Sequence, residues 1–257
     1  MGISPISDPA CVQGLFANWP ETFIWSFLQG CMGSAWADDP AAPRSAKIEV
    51  GDFCMFAGEP HIGLVLHRLP GEDGWCPIFV PQNEAWAHAI EQACGPRVKR
   101  IVRFATQKDP SLFHRETLER LAASALPEYR LQKIDETLFR LLRENEWSQD
   151  LCSQFKDYAD YSKHGIGIAA LCNGVPVSGA SSYTYYQGGI EIEIDTREDF
   201  RRRGLATACG ARLILECLDK GLYPSWDAHN RASLSLAEKL GYRLDRPYPA
   251  YEWSPEK

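Results

Sequence analysis

Apolar residues recur at two spacings along this chain, and each spacing predicts a different element. Residues 21–32 and 84–94 place them three or four positions apart, as amphipathic helices do. Residues 111–125 show the same spacing, and Ser111 is the predicted N-cap of that helix. Short apolar runs between Gly and Pro turns predict strands at residues 48–56, 61–67, 76–80 and 98–104. Residues 1–126 are therefore expected to form one α/β domain.

Pro127 marks the predicted start of a second domain, residues 127–257. Its first predicted elements are a strand at 129–134, helices at 137–142 and 148–155, and strands at 164–172 and 175–186. The dipeptide Asn173-Gly174 between the last two strands predicts a tight hairpin turn. A further turn at 187–189 leads into the next strand, so three neighbouring antiparallel strands are expected.

The segment 190–206, IEIEIDTREDFRRRGLA, predicts a strand, a basic turn and the start of a helix. Isoleucines alternate with acidic residues in the strand, so one face is apolar and the other is acidic. The helix carries an apolar stripe from Leu205 to Cys217, and Gly221 is predicted to end it.

The basic turn at residues 201–204 predicts an anion site. A helix N-terminus presents unpaired N–H groups and a partial positive charge, which favour a pyrophosphate. Gly204 has no Cβ, so a phosphate can approach the backbone there. The three arginines before it add positive charge, although a solvated turn is the alternative for basic residues in a loop.

These residues resemble motif A of the GNAT acyltransferases, Arg/Gln-x-x-Gly-x-Gly/Ala, at Arg201, Gly204 and Ala206. The segments GLAT, GLYPSWDAHN and SLAEKLGY that follow are similar to the branch that includes zwittermicin-resistance-type acetyltransferases. The upstream segment AKIEVGDFCMFAGEP also looks like the N-terminal part of that branch. The resemblance thus extends over the whole chain and is most specific near its C-terminal end.

The resemblance implies an α+β (mixed α/β) GNAT fold for residues 127–257, with a mixed, mostly antiparallel twisted sheet flanked by helices. A strand at 223–228 and a helix at 230–240, stopped by Gly241, would complete that core. Residues 1–126 would be an additional N-terminal α/β domain of unknown role, and a degenerate GNAT-like copy is one hypothesis for it.

The family binds acetyl-CoA, its acetyl donor, through the motif A turn. Backbone N–H groups of residues 203–206 are expected to hold the pyrophosphate, and the end of the preceding strand to pair with the pantetheine arm. The implied donor-binding residues are Ile194, Asp195, Thr196, Arg201, Arg202, Arg203, Gly204, Leu205, Ala206, Thr207, Asn230 and Ser233. For Thr207 and Asn230, capping of a helix is a competing or additional role.

Acyl transfer to an amine needs a base, because an amine with a pKa of about 10.4 is protonated at neutral pH. Glu191 and Glu193 are the candidates, with a solvated sheet face or a salt bridge as the alternative for both. Asp195, Asp227 and His229 are further candidates.

The leaving thiolate needs a proton, which many GNAT enzymes take from a Tyr seven positions after the Asn that follows strand five. Counted from Asn230, that position is Ala237, so the sequence departs from the family pattern. Tyr242, Tyr248 and Tyr251 are the candidate general acids, although a buried Tyr with a satisfied hydroxyl is the usual case. Protonation by water is the alternative.

Composition narrows the possible partners. A net charge of −7 argues against a nucleic-acid partner and favours an amine-bearing acceptor. The nine cysteines contain no Cys-x-x-Cys pair and the six histidines no ligand-pair spacing, so we expect neither a disulfide framework nor a metal site. The chain begins without a basic, apolar leader and has no membrane-length apolar window, which predicts a cytoplasmic protein that contacts no membrane.

The sequence therefore predicts an acetyl-CoA-dependent N-acetyltransferase acting on a primary amine of a small molecule. Direct attack in a ternary complex is expected, because no side chain stands out as a covalent nucleophile. The alternative is a non-catalytic coenzyme A-binding or protein-interaction module of the same fold. A homodimer is compatible with the sequence.

Overall fold

A computed structural model describes residues 2–69 and 75–254 of the chain. The strands in these residues are β1 Ser4–Pro5, β2 Ser34–Ala37, β3 Ser45–Val50, β4 Phe53–Gly58, β5 Ile78–Pro81, β6 Val98–Thr106, β7 Tyr129–Lys133, β8 Gly167–Cys172, β9 Val175–Tyr186, β10 Gly189–Thr196, β11 Tyr223–Ser225, β12 Asp227–Ala228 and β13 Leu244–Trp253. The α-helices are α1 Ala10–Gln13, α2 Thr22–Leu28, α3 Ile62–Leu66, α4 Glu84–Cys94, α5 Arg115–Ala122, α6 Glu136–Arg143, α7 Tyr158–His164, α8 Leu205–Asp219 and α9 Arg231–Lys239. Short 3-10 helices lie at Gly95–Arg97, Pro110–Leu112, Gln149–Leu151 and Glu198–Phe200.

The chain forms two compact units, one of residues 1–103 with 247–257 and one of residues 104–246. The points of division fall within β6 and β13. The predicted boundary at Pro127 lies inside the second unit. The assignment of residues 1–126 and 127–257 to separate domains stays a prediction.

The first unit contains a sheet in which β1 to β4 pair antiparallel, β4 and β5 pair parallel, and β13 pairs antiparallel with β5. The single strand predicted at 48–56 is wrong, because Gly51, with a φ of 60°, turns the chain into the hairpin β3–β4. The strand predicted at 61–67 is also wrong. Those residues form α3, whose Leu64 and Val65 are fully buried. A short apolar run fits a strand and a buried helix equally well, so periodicity did not decide between them.

The second unit is built on a sheet in the order β11-β10-β9-β8-β7. Its pairs are antiparallel except for the parallel pair β10–β11. Asn173 and Gly174 have φ values of 51° and 81°, as a type I′ turn requires, so the predicted hairpin is confirmed. The predicted fold class, a mixed and mostly antiparallel sheet with helices, is confirmed as well.

Helices of the second unit build two apolar clusters on its sheet. The larger cluster joins α5, α8 and α9 to β8, β9 and β10, and the smaller joins α6 and α7 to β8. The predicted stripe of α8 is buried at Leu205, Cys209, Leu213 and Cys217. Gly221 has a φ of 68°, and the chain beyond α8 turns there as predicted.

Two helix predictions in the second unit need correction. The helix predicted at 111–125 begins only at Arg115, and Ser111 is not its N-cap. The Asp109 carboxylate instead accepts the Ser111 N–H at 2.9 Å and starts a separate 3-10 turn. The helix predicted at 148–155 is reduced to the 3-10 turn Gln149–Leu151.

Candidate active site

An opening separates strands β10 and β12 in the second unit. β10 pairs with β11 at three positions, and the last of them places Glu191 opposite Ser225. The chain then bends at the buried Trp226, and β12 pairs antiparallel with the end of β6. The strand predicted at 223–228 is thus two strands with different partners. In the part of the chain that the structure describes, no strand pairs with β10 on this edge beyond Glu191.

Backbone groups of β10 line this opening. The Arg197 N–H donates to β9, so the alternate N–H groups of Ile194 and Thr196 lie on the opposite, open edge. The Ile194 N–H donates to Glu193 Oε1 at 3.0 Å. The Thr196 carbonyl accepts from Arg201 Nε at 3.2 Å. An extended, amide-bearing ligand could pair with this edge as an added strand does.

The turn between β10 and α8 has the backbone geometry of an anion site. Arg202 and Gly204 are both left-handed, with φ values of 62° and 80°, and turns of this kind form concavities of N–H groups. Gly204 is exposed, and a Cβ built there meets nothing within 4 Å. Ala208 is the donor to the Gly204 carbonyl, so the N–H groups of residues 205–207 lie at the positive end of α8.

The arginines of the turn have different partners. Arg203 donates to the Tyr129 hydroxyl at 3.0 Å and to the Asp199 carbonyl at 2.8 Å, and it lies over the Phe200 ring. These contacts fix the turn onto β7. Arg202 is exposed, and no hydrogen bond or ion pair joins its side chain to another described residue. The guanidinium of Arg202 is therefore available to a ligand, whereas that of Arg203 is occupied.

The two glutamates of β10 lie in different surroundings. Glu191 is only 3% exposed, and its Oε1 accepts the Asp227 N–H at 2.7 Å. It is therefore not on a solvated face. Glu193 is half-buried, and its carboxylate touches the open edge of β10 through the Ile194 N–H.

Asp195 is a half-buried carboxyl near the end of β10. Burial and the nearby Asp150 carboxylate raise its pKa to about 6, against the opposing effect of Arg201. Ser178 holds the adjoining backbone, because its hydroxyl donates to the Asp195 carbonyl at 3.0 Å. A carboxyl with this pKa is ionised at neutral pH and is a stronger base than an ordinary aspartate.

Two of the three candidate acids, Tyr242 and Tyr251, donate their hydroxyl hydrogen to another residue. Tyr242 is buried, and it donates to the Pro224 carbonyl at 2.6 Å; burial raises its pKa well above the usual range. Tyr251 donates to Glu91 Oε1 at 2.6 Å, and burial raises its pKa too. Tyr248 is half-buried, and Tyr248 and Tyr251 belong to the first unit.

Asn230 begins α9, as the sequence suggests. Its Oδ1 accepts the N–H groups of Ala232 at 2.9 Å and Ser233 at 3.0 Å. The Ser233 hydroxyl accepts from Trp226 Nε1 at 3.1 Å, so it supports the bend between β11 and β12. Ala237 is fully buried, so the position where the family pattern places a Tyr lies in the core.

Sequence analysis missed two residues of this site, because no local pattern indicates a role for either of them. Tyr129 anchors Arg203 across 74 positions of sequence, and Asp150 reaches Asp195 from the 3-10 turn before α7. Only the pairing of strands and the packing of that turn bring these partners together.

Comparison with known proteins identifies the family of the chain. The GNAT acetyltransferase family model matches residues 13–251. The chain is 46% identical to a GCN5-related N-acetyltransferase-like protein from Streptococcus suis, with a TM-score of 0.91 over 96% of this chain and 98% of that one. It is also 25% identical to the uncharacterized N-acetyltransferase YdfB of Bacillus subtilis, over 90% of this chain and 89% of the relative. A tandem GNAT protein from the clavulanic acid biosynthesis pathway, 11% identical, shares the fold with a TM-score of 0.52 over 99% of both chains.

The chain therefore belongs to the GNAT acetyltransferases and is an acyltransferase. The expected GNAT fold is confirmed. Among the described residues, no helix combines the length and apolar character needed to cross a bilayer. Residues 2–69 and 75–254 also contain no cluster of three or more His, Cys, Asp or Glu side chains arranged for a metal ion.

Proposed function

We propose that the protein transfers an acetyl group from acetyl-CoA to a primary amine of a small molecule. The observation that carries the proposal is the turn at residues 201–204, where two left-handed residues precede the N-terminus of α8 beside the β10–β12 opening. The turn suits a pyrophosphate, and the open edge of β10 suits the amide-bearing pantetheine arm. The small-molecule acceptor is inferred from the resemblance to the zwittermicin-resistance branch.

We expect residues of the second unit to bind both the pyrophosphate and the pantetheine arm of the donor. We expect the N–H groups of residues 203–206, at the start of α8, to bind the pyrophosphate, with Arg202 adding charge. Ile194 and Thr196 offer their backbone groups to the pantetheine arm, and Thr207 stands in the first turn of α8. Asn230 caps α9 and Ser233 contacts Trp226, and both residues stay candidates to contact the donor as well.

The proposed reaction is direct attack by the amine. The ammonium form of the amine first loses one proton to the base. Its neutral nitrogen then forms a bond to the thioester carbonyl carbon as the carbon–sulfur bond breaks, and it gives up a second proton to water. We expect the Ile194 N–H to stabilise the negative charge that develops on the carbonyl oxygen. The Glu193 carboxylate, which accepts this N–H in the absence of a ligand, is the first candidate to accept the amine proton, directly or through water. Asp195 is the second candidate base, because its pKa is about 6.

We infer that water protonates the leaving thiolate. The Tyr242 proton is held by the Pro224 carbonyl, and position 237 is a buried alanine. Moving the Tyr242 proton would leave a buried carbonyl without its donor.

The test combines binding with turnover. We expect calorimetry to show acetyl-CoA binding, and a thiol-release assay over a panel of small primary amines to give release above the hydrolysis background. Absence of binding at millimolar acetyl-CoA would reject the proposal.

The second candidate is a non-catalytic coenzyme A-binding module. Ala237 and the occupied hydroxyl of Tyr242 favour it, because both remove the usual proton donor. This candidate predicts that acetyl-CoA binds while every amine in the panel gives background release.

A further inference from the structure

Each unit contains a strand, a helix and a parallel strand, and the two copies of this arrangement end differently. In the first unit it is β4–α3–β5, with Phe53 opposite Ile78 and every later pair kept through Phe56. The next N–H, that of Gln82, donates to the Phe56 carbonyl at 3.0 Å. These two strands therefore stay closed to the end of the pairing.

Side chains complete the closure of the first unit. Gln82 Oε1 accepts the Gly58 N–H at 3.1 Å, and Trp86 Nε1 donates to the Gly58 carbonyl at 2.9 Å. The end of β4 therefore has no backbone group left for a ligand at this glycine, and the buried Trp86 ring occupies the adjoining space.

In the second unit the corresponding strands start in the same way and then part. Gly189 stands opposite Tyr223, and pairing ends two positions later, at Glu191 opposite Ser225. Counted from the first pair, Asp227 is the residue that corresponds to Gln82. Its N–H donates at 2.7 Å to the side-chain Oε1 of Glu191 and not to a carbonyl of β10.

The same count makes Met55 the counterpart of Glu191. Met55 is 2% exposed and has no hydrogen-bond acceptor of comparable strength, whereas Glu191 is 3% exposed and brings a carboxylate to the same depth. A buried N–H must find a partner. Beside Met55, the Gln82 N–H donates to the facing Phe56 carbonyl. Beside Glu191, the carboxylate supplies a charge-assisted alternative for the Asp227 N–H.

We propose that Glu191 is a positioning residue that holds β12 away from β10 and so creates the opening for the acetyl donor. By taking the Asp227 N–H, it leaves the backbone groups of Ile194 and Thr196 on an edge of β10 that pairs with no other strand among the described residues. The opening itself does not depend on the proposed function, although its use for acetyl-CoA rests on that function.

The surroundings of Glu191 fit this role. Tyr186, Tyr223 and Tyr242 lie near enough for the Glu191 charge to help burial raise the pKa of each hydroxyl. A carboxylate among buried aromatic rings, already accepting an N–H, is poorly placed to exchange protons with an amine in the opening.

The experiment compares Glu191→Met, which copies the first unit, with Glu191→Gln, whose amide oxygen can still accept the Asp227 N–H. Crystal structures without ligand are the primary measurement. In Glu191→Met we expect the Asp227 N–H to donate to a main-chain carbonyl of β10, with the strands drawn together. An opening unchanged from the wild type would overturn the inference.

Calorimetry and kinetics extend the comparison. We expect acetyl-CoA to bind at least tenfold more weakly to Glu191→Met and within threefold of wild type to Glu191→Gln. The matched control is Glu216→Met. It removes another buried carboxylate, which lies on α8 and forms ion pairs with Lys133 and Arg212. We expect this variant to bind acetyl-CoA with unchanged affinity. If Glu216→Met weakens acetyl-CoA binding as much as Glu191→Met does, the cause is general destabilisation, and the positioning role of Glu191 is overturned.

Glu191→Gln also keeps the inference testable if Glu191→Met does not fold. We expect this variant to keep the wild-type pH profile of kcat. A flattened profile with a large loss of kcat and normal binding would make Glu191 the base and contradict a positioning role. If wild-type protein binds no acetyl-CoA, the proposed function fails, and the ligand-free structures still decide the role of Glu191.

Discussion

The Arg203 guanidinium donates to the Tyr129 hydroxyl at 3.0 Å, and this bond ties the basic turn to the opposite edge strand of the same sheet. Arg202, one residue earlier, has no such tie. Adjacent arginines of one motif are therefore expected to contribute differently, Arg203 to the shape of the turn and Arg202 to the charge that a phosphate meets.

Exchange of each arginine for alanine tests this difference. Arg202→Ala should weaken acetyl-CoA binding about five- to tenfold with little change in stability, because it removes one charge-assisted contact. Arg203→Ala should lower the free energy of unfolding by about 1 kcal/mol, because it removes the bond to Tyr129 from a partly exposed site. Calorimetry and urea titration measure the two effects. A larger affinity loss in a fully stable Arg203→Ala protein would reverse the assignment.

Substitutions of Gly204 test the effect of a negative charge beside the pyrophosphate, because Asp and Asn have nearly the same side-chain shape. Asp and Asn tolerate left-handed backbone better than most side chains, and a Cβ built at this position meets no other group within 4 Å. Gly204→Asp should weaken acetyl-CoA binding by more than tenfold, over about 1.4 kcal/mol, because it sets a carboxylate against the pyrophosphate. Gly204→Asn is the matched control and should change the dissociation constant less than threefold. Equal dissociation constants for the two variants would place the pyrophosphate elsewhere.

Asp195 predicts a pH dependence of stability. Its pKa is raised from 3.8 to about 6, so the folded protein holds this proton more tightly than the unfolded chain does. Its contribution favours folding below pH 3.8 and is lost as the pH rises to about 6, where the cost of the buried charge is complete. Asp195→Asn should therefore gain stability relative to wild type above pH 6, by about 3 kcal/mol at most, and no comparable gain near pH 4.

Thermal unfolding of both proteins between pH 4 and pH 8 measures that difference. Asp150→Asn provides the control, because it removes one neighbour that raises the Asp195 pKa and should give a smaller gain in the same direction. A stability difference independent of pH would show that Asp195 does not titrate in this range.

Glu193 is the first candidate for the base in the proposed reaction. Glu193→Gln keeps an oxygen for the Ile194 N–H and removes the proton acceptor. We expect acetyl-CoA affinity within threefold of wild type, a fall in kcat of about 10² to 10⁴, and loss of the acidic limb of the pH–rate profile. The same measurements on Asp195→Asn decide between the two carboxylates. A normal kcat in Glu193→Gln would transfer the role of base to Asp195 or to water.

One acetyl-CoA molecule per chain is expected, despite two similar strand–helix–strand arrangements. In the first unit the Gln82 N–H closes on the Phe56 carbonyl, and Trp86 caps the Gly58 carbonyl. Isothermal titration calorimetry should therefore give a stoichiometry of one. A value of two would contradict a closed first unit.

The sequence predicted the parts of the site that depend on local chemistry. The strand β10, the buried stripe of α8, the glycine turn at 204 and the Asn230 cap are all set within a few residues, and each is found in the structure. The strand prediction for the α3 segment was wrong, because its short apolar run has no periodicity that distinguishes a strand from a helix.

The remaining features depend on residues far apart in sequence. Glu191 lies on an acidic face by alternation, yet pairing with β11 and contact with Asp227 bury it. Tyr129 and Asp150 reach the site only through sheet order and the packing of a turn. A pattern within a short stretch of sequence cannot predict these contacts, because the two residues of each contact are far apart in the chain.

A crystal structure with coenzyme A or acetyl-CoA bound tests the central claim most directly. We predict that the pyrophosphate lies within hydrogen-bonding distance of the N–H groups of residues 203–206, and that the pantetheine arm pairs with Ile194 and Thr196 on the open edge of β10. A ligand bound with its pyrophosphate away from this turn, at full occupancy, would contradict the account.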